Sequence, residues 1–367
     1  MKSSINARTP SLATDNTEEI IHRGFPSWRA GTTPKRVGAA RAFEAAKSAC
    51  DRVNAATAVQ HRPGSFEAYK FSNDAGSRTY KVYVPMGESD RPYPMMVMLH
   101  GCSQSADDFA ADTQMNRLAD EYGFMVVYPQ QAAGANAAKC WNWFNPQDQV
   151  RGAGEPSLIA GIVLEVVQRN DADPRRIFVA GLSAGAAMAV VLGETYPELF
   201  AGVGAHSGLP YAVAYDIPSA LAAMKGRGAA GATGVNASCA TSGRSQPTTL
   251  HAVPVIVFHG DRDHTVQPAN GAHIVQQAHD AHGVQSGDPG LRVKTMSGVT
   301  PGGQRFSRAV HADIWGQARI ESWILHGAGH AWSGGHTIGS CSDAAGPDAS
   351  AEMVRFFLAL SGLQARA

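Results

Sequence analysis

The stretch Gly181-Leu182-Ser183-Ala184-Gly185 constrains this chain more than any other. It follows the apolar run Ile177-Phe178-Val179-Ala180 and opens a small-residue segment, Ala186 to Leu192, with helical character. G-x-S-x-G between a buried strand and a helix describes a sharp turn that lifts the serine hydroxyl out of a sheet, where it can act as a nucleophile. Glycine is needed on either side because only a residue without a Cβ lets strand and helix approach so closely. The pentapeptide alone says little in a chain with 39 Gly. Its setting, and the residues downstream of it, give it weight.

Composition narrows the alternatives. The chain has 367 residues, 44% of them apolar, enough for a large buried core. Lys+Arg and Asp+Glu number 31 each, so no net field draws the protein to nucleic acid or anionic lipid. No apolar run approaches the ~20 residues a membrane span needs. Met1–Thr17 has no apolar h-region, so no secretory signal is read and cytoplasm is the default expectation. Five cysteines leave at least one unpaired within the chain.

The pattern divides the chain into an extension, 1–62, and a catalytic-domain-sized remainder, 63–367. Within the extension, Ala39, Phe43, Ala46, Cys50, Val53 and Ala56 are spaced by three or four and predict an amphipathic helix over Val37–Val59. From Phe66 onward strands alternate with helices. Strands are expected at Phe66–Phe71, Thr79–Val84, Met95–Leu99, Phe124–Tyr128, Ile177–Ala180, Ala201–Ala205, Val255–Phe258 and Ile320–Leu325. Helices are expected at Asp107–Tyr122, Glu155–Asn170, Ala184–Tyr196, Ala269–His282 and Ser350–Leu360. The fold class is therefore α/β, a mostly parallel central sheet with helices on both faces. Lys225–Leu250 and Ser286–His311 break the rhythm and read as irregular loops near the pocket mouth.

A serine nucleophile needs a base, and the base an orienting acid; in this fold class they follow in the order acid, then histidine. The strand Val255–Phe258 runs into His259-Gly260-Asp261-Arg262-Asp263-His264-Thr265-Val266. Asp263 is the preferred acid, three residues before Val266, a spacing that resembles the acid turn of many α/β-hydrolases. Asp261 is the alternative, otherwise capping the turn. The strand Ile320–Leu325 runs into His326-Gly327-Ala328-Gly329-His330, where the glycines suit a tight loop presenting His330 as general base, with His326 serving the fold. Zinc on this pair is disfavoured, because H-E-x-x-H is absent and the intervening glycines oppose a helix; no metal or cofactor is expected. The oxyanion of an acyl-transfer intermediate needs two N–H donors. Ala184 supplies one, and Cys102, in the loop His100-Gly101-Cys102-Ser103-Gln104, the other.

Four segments carry a specific resemblance: Leu99-His100-Gly101-Cys102-Ser103-Gln104, Cys140-Trp141-Asn142-Trp143-Phe144, the Ser183 pentapeptide and Gly329-His330-Ala331-Trp332. Together they resemble the polyhydroxybutyrate depolymerase family of esterases, relatives of feruloyl and acetylxylan esterases, over roughly Ser65 to Leu360. The resemblance implies an α/β-hydrolase fold and a triad of Ser183, Asp263 and His330. It implies hydrolysis of short-chain hydroxyalkanoate esters or polyester oligomers through an acyl-enzyme, with feruloyl or acetylxylan esters as the alternative. A non-catalytic binding protein of the same fold is disfavoured by the intact Ser, Asp and His. Trp332 is expected to wall the acyl or alcohol pocket, with Trp143 and Gln104 as further substrate-binding candidates, although a cluster such as Trp141, Trp143 and Phe144 is more often core. Cys102 and Cys140 flank family-like motifs and stand either as a disulfide or as two buried thiols. Cys239 and Cys341 form a weaker second pair, leaving Cys50. Two features depart from the family: no export signal or polymer-binding domain is read, and Gly208-Leu209-Pro210-Tyr211 is followed by Ala212-Val213 where a cysteine is common. Export as in much of the family is the alternative to a cytoplasmic location. The expected partner is a small or polymeric ester, with no nucleic acid and no membrane.

Overall fold

Runs such as Met95–Leu99 and Val255–Phe258 have no polar face to offer water, so each needs cover on both sides. The computed structural model provides it; the residues described are 64–86, 89–227, 252–286, 290–336 and 341–360. The predicted Val37–Val59 helix, Cys50, Cys239 and most of Lys225–Leu250 lie outside them.

The strands are β1 (Phe66–Asn73), β2 (Gly76–Tyr83), β3 (Tyr93–Leu99), β4 (Met125–Gln130), β5 (Ala172–Leu182), β6 (Gly202–His206), β7 (Val255–Gly260), β8 (Arg292–Val299), β9 (Arg305–Ala312), β10 (Ala318–Leu325), β11 (Trp332–Ser333) and β12 (Ser342–Asp343). The first ten form one sheet in the order β1-β2-β4-β3-β5-β6-β7-β10-β9-β8. Its centre, β4 through β10, is parallel, and the antiparallel pairs lie at the two edges. One register row runs Val127, Val97, Val179, Val203, Val255, Ile320 across six neighbouring strands.

That row faces α3 (Gly154–Arg169), α4 (Ala184–Thr195) and α6 (Ala269–Ser286), joining Ile162, Met188 and Ile274 in one core. The opposite face, with Met98, Ala180 and Ile256, packs on α1 (Ala106–Thr113), α2 (Met115–Tyr122) and α7 (Ala349–Leu360) through Phe109, Leu118 and Phe357. Among the described residues, no helix is long and apolar enough to cross a membrane.

Three elements differ from the sequence expectation. The helix expected over Asp107–Tyr122 is two helices, because Gln114 takes a left-handed conformation (φ 54°) whose N–H caps α1 on Ala110 O. Ser286–His311, expected to be irregular, contains the hairpin β8–β9. β8 is an exposed edge strand, so it carries no apolar face by which to be recognised. A further helix, α5 (Ile217–Met224), follows β6, opened by an Asp216/Ser219 capping box.

Candidate active site

Ser183 sits between β5 and α4 at φ 57°, ψ −119°, backbone that an L-residue adopts only under constraint. The constraint is visible: Ser183 N–H donates to His206 O (2.9 Å), and Ser183 O accepts from Ala187 N–H (3.0 Å). A Cβ on Gly185 would stand 2.1 Å from Leu99 O and 2.5 Å from His100 O, and one on Gly181 2.4 Å from the Gly185 carbonyl carbon. Strand β3, the elbow and the start of α4 are thus in backbone contact. Ala184 opens α4, where the first amides have no acceptor within the helix.

Past the end of β7, Asp263 is buried and its Oδ1 accepts from the amides of Thr265 and Val266, both at 2.9 Å. This is the physical content of the Asp-x-x-Val spacing. Asp263 Oδ2 accepts from His330 Nδ1 at 2.6 Å. A proton on Nδ1 leaves Nε2 with its lone pair, the form a general base requires. His259 Nε2 donates to Val266 O (2.9 Å) and lies 3.5 Å from Asp263 Oδ2. Burial alone would raise the Asp263 carboxyl, but hydrogen bonds from His259, His330 and Val266 outweigh it and hold the group well below the usual carboxylate range. Asp261 goes elsewhere: its Oδ2 accepts from His326 Nδ1 (2.9 Å) and its Oδ1 from Gly327 N–H (2.6 Å). The two histidines therefore face two different carboxylates. Among the described residues, no group of three or more His, Cys, Asp or Glu is arranged to hold a metal ion.

The loop after β3 is tied down from beneath. His100 is fully buried; its Nδ1 donates to Gly101 O (2.7 Å) and its Nε2 accepts from Gln131 N–H (3.0 Å). Burial lowers its pKa to about 4, so it stays neutral. Cys102 and Cys140 form a disulfide, Cα to Cα 4.2 Å, joining this loop to the tryptophan segment. Trp141 Nε1 donates to His100 O (3.1 Å), and Glu155 receives Asn142 through its amide (2.7 Å) and side chain (2.8 Å).

Three expected substrate contacts fall in the scaffold instead. Gln104 is buried, its Oε1 accepting from Gly101 N–H and its Nε2 donating to Asp112, both at 2.8 Å, so its amide shapes the loop. Trp143 is buried in the core, edge-on to Phe144. Trp332 is 0% exposed, turned inward by pairing of β11 with β12, and its Nε1 donates to Ser350 Oγ (3.0 Å). What Trp332 supports is a residue sequence reasoning missed. His206, fully buried at the end of β6, stacks between Trp332 (5.2 Å) and Phe258 (5.7 Å), and its carbonyl holds the Ser183 amide. Its Nε2 accepts from Ser333 N–H (3.1 Å), and burial lowers its pKa to about 3. A histidine closing the apolar strand expected at Ala201–Ala205 was the available signal.

A profile of the family described as esterase PHB depolymerase matches residues 78–292, more than half of the chain. The chain belongs to this family. Within the esterase PHB depolymerase match lie β3, the elbow, the disulfide and Asp263. Poly(3-hydroxyalkanoate) depolymerase C of Paucimonas lemoignei is 38% identical over 202 residues, 54% of this chain and 47% of that protein. Feruloyl esterase B of Neurospora crassa is 36% identical over 142 residues, 38% of this chain and 47% of the other. The chain spans about half the length of the curated relatives it matches. Acetyl xylan esterase from Aspergillus awamori shares the fold, with a TM-score of 0.57 over 79% of this chain and 98% of that one at 22% identity.

Proposed function

We propose that this chain is a serine ester hydrolase acting on short-chain hydroxyalkanoate esters or polyester oligomers through an acyl-enzyme on Ser183. The observation that carries the reading is the 2.6 Å bond from His330 Nδ1 to a buried, ionised Asp263, on loops that follow the elbow serine in the order the chemistry requires. His330 Nε2 takes the Ser183 proton as Oγ attacks the ester carbonyl carbon. The resulting oxyanion accepts from the Ala184 and Cys102 amides, each such donor contributing on the order of 3 kcal/mol to the barrier reduction. His330 then protonates the departing alcohol. Water attacks the acyl-serine with the same residue as base, releasing the acid and restoring Ser183.

The hydroxyalkanoate side is favoured by the 38% identity to a protein named poly(3-hydroxyalkanoate) depolymerase C. Burial of Trp141, Trp143 and Trp332 leaves those three rings unavailable as a flat wall for a feruloyl group. Ser183→Ala is expected to abolish p-nitrophenyl butyrate hydrolysis, as loss of a triad nucleophile costs on the order of 10⁶ in kcat. Retention of a tenth of the activity, only about 1.4 kcal/mol of barrier, would refute the nucleophile. The substrate is tested with a hydroxybutyrate oligomer, methyl ferulate, acetylated xylan and a chain-length series of p-nitrophenyl esters. A preference for ferulate or acetyl release, or for long acyl chains without oligomer cleavage, would overturn the substrate class and leave the nucleophile standing.

A further inference from the structure

Asp261 and His326 repeat, on the same two loops, the bond that joins Asp263 to His330. His326 Nδ1 donates to Asp261 Oδ2 at 2.9 Å, and Gly327 N–H donates to the other oxygen at 2.6 Å. Two main-chain bonds run alongside, Asp261 N–H to Leu325 O and Arg262 N–H to Ala328 O, each 3.0 Å. Gly260 completes the contact: a Cβ there would lie 2.4 Å from Ala328 O and 2.7 Å from Gly329 O. The loop that carries the acid and the loop that carries the base are therefore stitched together before either reaches its catalytic residue.

The stitch continues outward. On the other side of the ring, His326 Nε2 and Ser307 Oγ share a hydrogen bond of 2.8 Å. Asp261, His326 and Ser307 are the residue types of a triad, yet Ser307 is not built as a nucleophile. It lies inside β9, paired with Ile324 of β10 on one side and Ser297 of β8 on the other. It is absent from the positive-φ residues and opens no helix, so it has neither the strained turn nor the helix-end amides that serve Ser183. The arrangement anchors His326 to the sheet.

The base loop needs such an anchor. His330 follows Gly327 and Gly329, and Gly327 has φ +81°, so this segment has much conformational freedom to lose. Asp263 is held by two backbone amides of its own turn, whereas the His330 ring is held through the bond its Nδ1 donates to Asp263. We propose that Asp261 and His326 are positioning residues: their bond, anchored by Ser307, sets the register between the acid and base loops and so aims His330 at Ser183. The proposal rests on reading Ser183, Asp263 and His330 as the triad. The side chains of His326 and Asp261 are 33% and 37% exposed, so their bond contributes little to global stability and a large effect on turnover is separable from unfolding.

The test is steady-state kinetics of Asp261→Ala, His326→Ala, the double variant and His326→Asn on p-nitrophenyl butyrate, with thermal melts and proton NMR. The alanine variants are expected to lose about tenfold or more in kcat, within what a slight misplacement of a catalytic group costs, with KM changed less than about twofold. Their melting temperatures should stay near wild type, and the double variant should be no worse than the singles. His326→Asn restores an N–H donor at the Nδ1 position toward Asp261 and should recover most of the activity. The downfield Nδ1–H resonance assigned by its loss in His330→Ala should weaken in both alanine variants and return in His326→Asn. Wild-type kcat with an unchanged resonance would overturn the proposal. So would a fall in activity that merely tracks the melting temperature and is not relieved by His326→Asn. If Ser183→Ala stays active, the triad reading itself fails; if it is dead while Asp261→Ala and His326→Ala are normal, only the positioning role falls.

Discussion

Gly185 shows how one missing methyl group can govern a site. A Cβ there would sit 2.1 Å from a carbonyl oxygen of β3, a backbone atom that cannot step aside without moving the strand. Gly185→Ala is therefore expected to displace the elbow from the loop after Leu99, separating the Ala184 and Cys102 amides. The cost in stability should reach or exceed the ~1–3 kcal/mol usual for overpacking. Urea unfolding and ester hydrolysis on the same preparation check this. An active variant with an unchanged midpoint would show that strand and helix have room the geometry denies them. Glycines of this kind were legible in the sequence because the steric demand is local to a few residues. Trp332 and Gln104 were not, because adjacency to a motif says nothing about which way a side chain turns. Pairing of β11 with β12 turns Trp332 inward, and the fold of the His100–Gln104 loop turns Gln104 toward Gly101.

At the scale of elements, the Cys102–Cys140 bridge spans 38 positions and ties the loop after β3 to the segment ahead of α3. On a chain-entropy view, a loop of that length is worth up to about 4 kcal/mol through restriction of the unfolded chain. The Cys102→Ser/Cys140→Ser variant is expected to melt lower and to lose turnover, since the Cys102 amide then loses its covalent tie and keeps only hydrogen bonds such as Ser103 N–H to Ala138 O (2.7 Å). Wild-type protein treated with reductant should match it. Equal melting temperatures for oxidised and reduced protein would contradict this. The hairpin β8–β9 teaches the opposite lesson about legibility. Its first strand is exposed on both faces, so the alternation that reveals a half-buried strand never arises, and its pairing with β9 and through it β10 was visible only in three dimensions.

For the molecule as a whole, His100 and His206 make stability depend on pH. Both are buried as neutral rings, with pKa values lowered by burial to about 4 and about 3. In the unfolded chain each would titrate near the ordinary ~6.5. As pH falls below that value the unfolded state binds protons that the folded state refuses, so acid favours unfolding. The slope is up to about 1.4 kcal/mol per pH unit for each ring, from near pH 6.5 down toward pH 4. Asp263 adds a loss of the same sign at lower pH, because its depressed carboxyl stabilises the fold only while ionised. Urea midpoints measured from pH 7.5 to 4.5 should fall steadily, and His206→Gln should shallow the slope. A flat profile would mean that these rings take up protons in the folded state.

The strand–turn–helix around Ser183, the mostly parallel character of the central sheet and the acid and base candidates were readable from sequence, because each rests on short-range rules. Apolar runs need two-sided cover, tight approaches need glycine, and a carboxylate three residues before Val266 finds its turn's amides. Sequence spacing favoured Asp263 with His330, but tertiary structure alone revealed that Asp261 and His326 pair as well. Asp261 and Asp263 are two residues apart and chemically alike, as are His326 and His330 four apart, and only the crossing of the β7 and β10 loops pairs Asp263 with His330 and Asp261 with His326. It also put His206 beneath the elbow, since the contact joins β6 to a turn more than twenty residues away, a separation no local pattern spans.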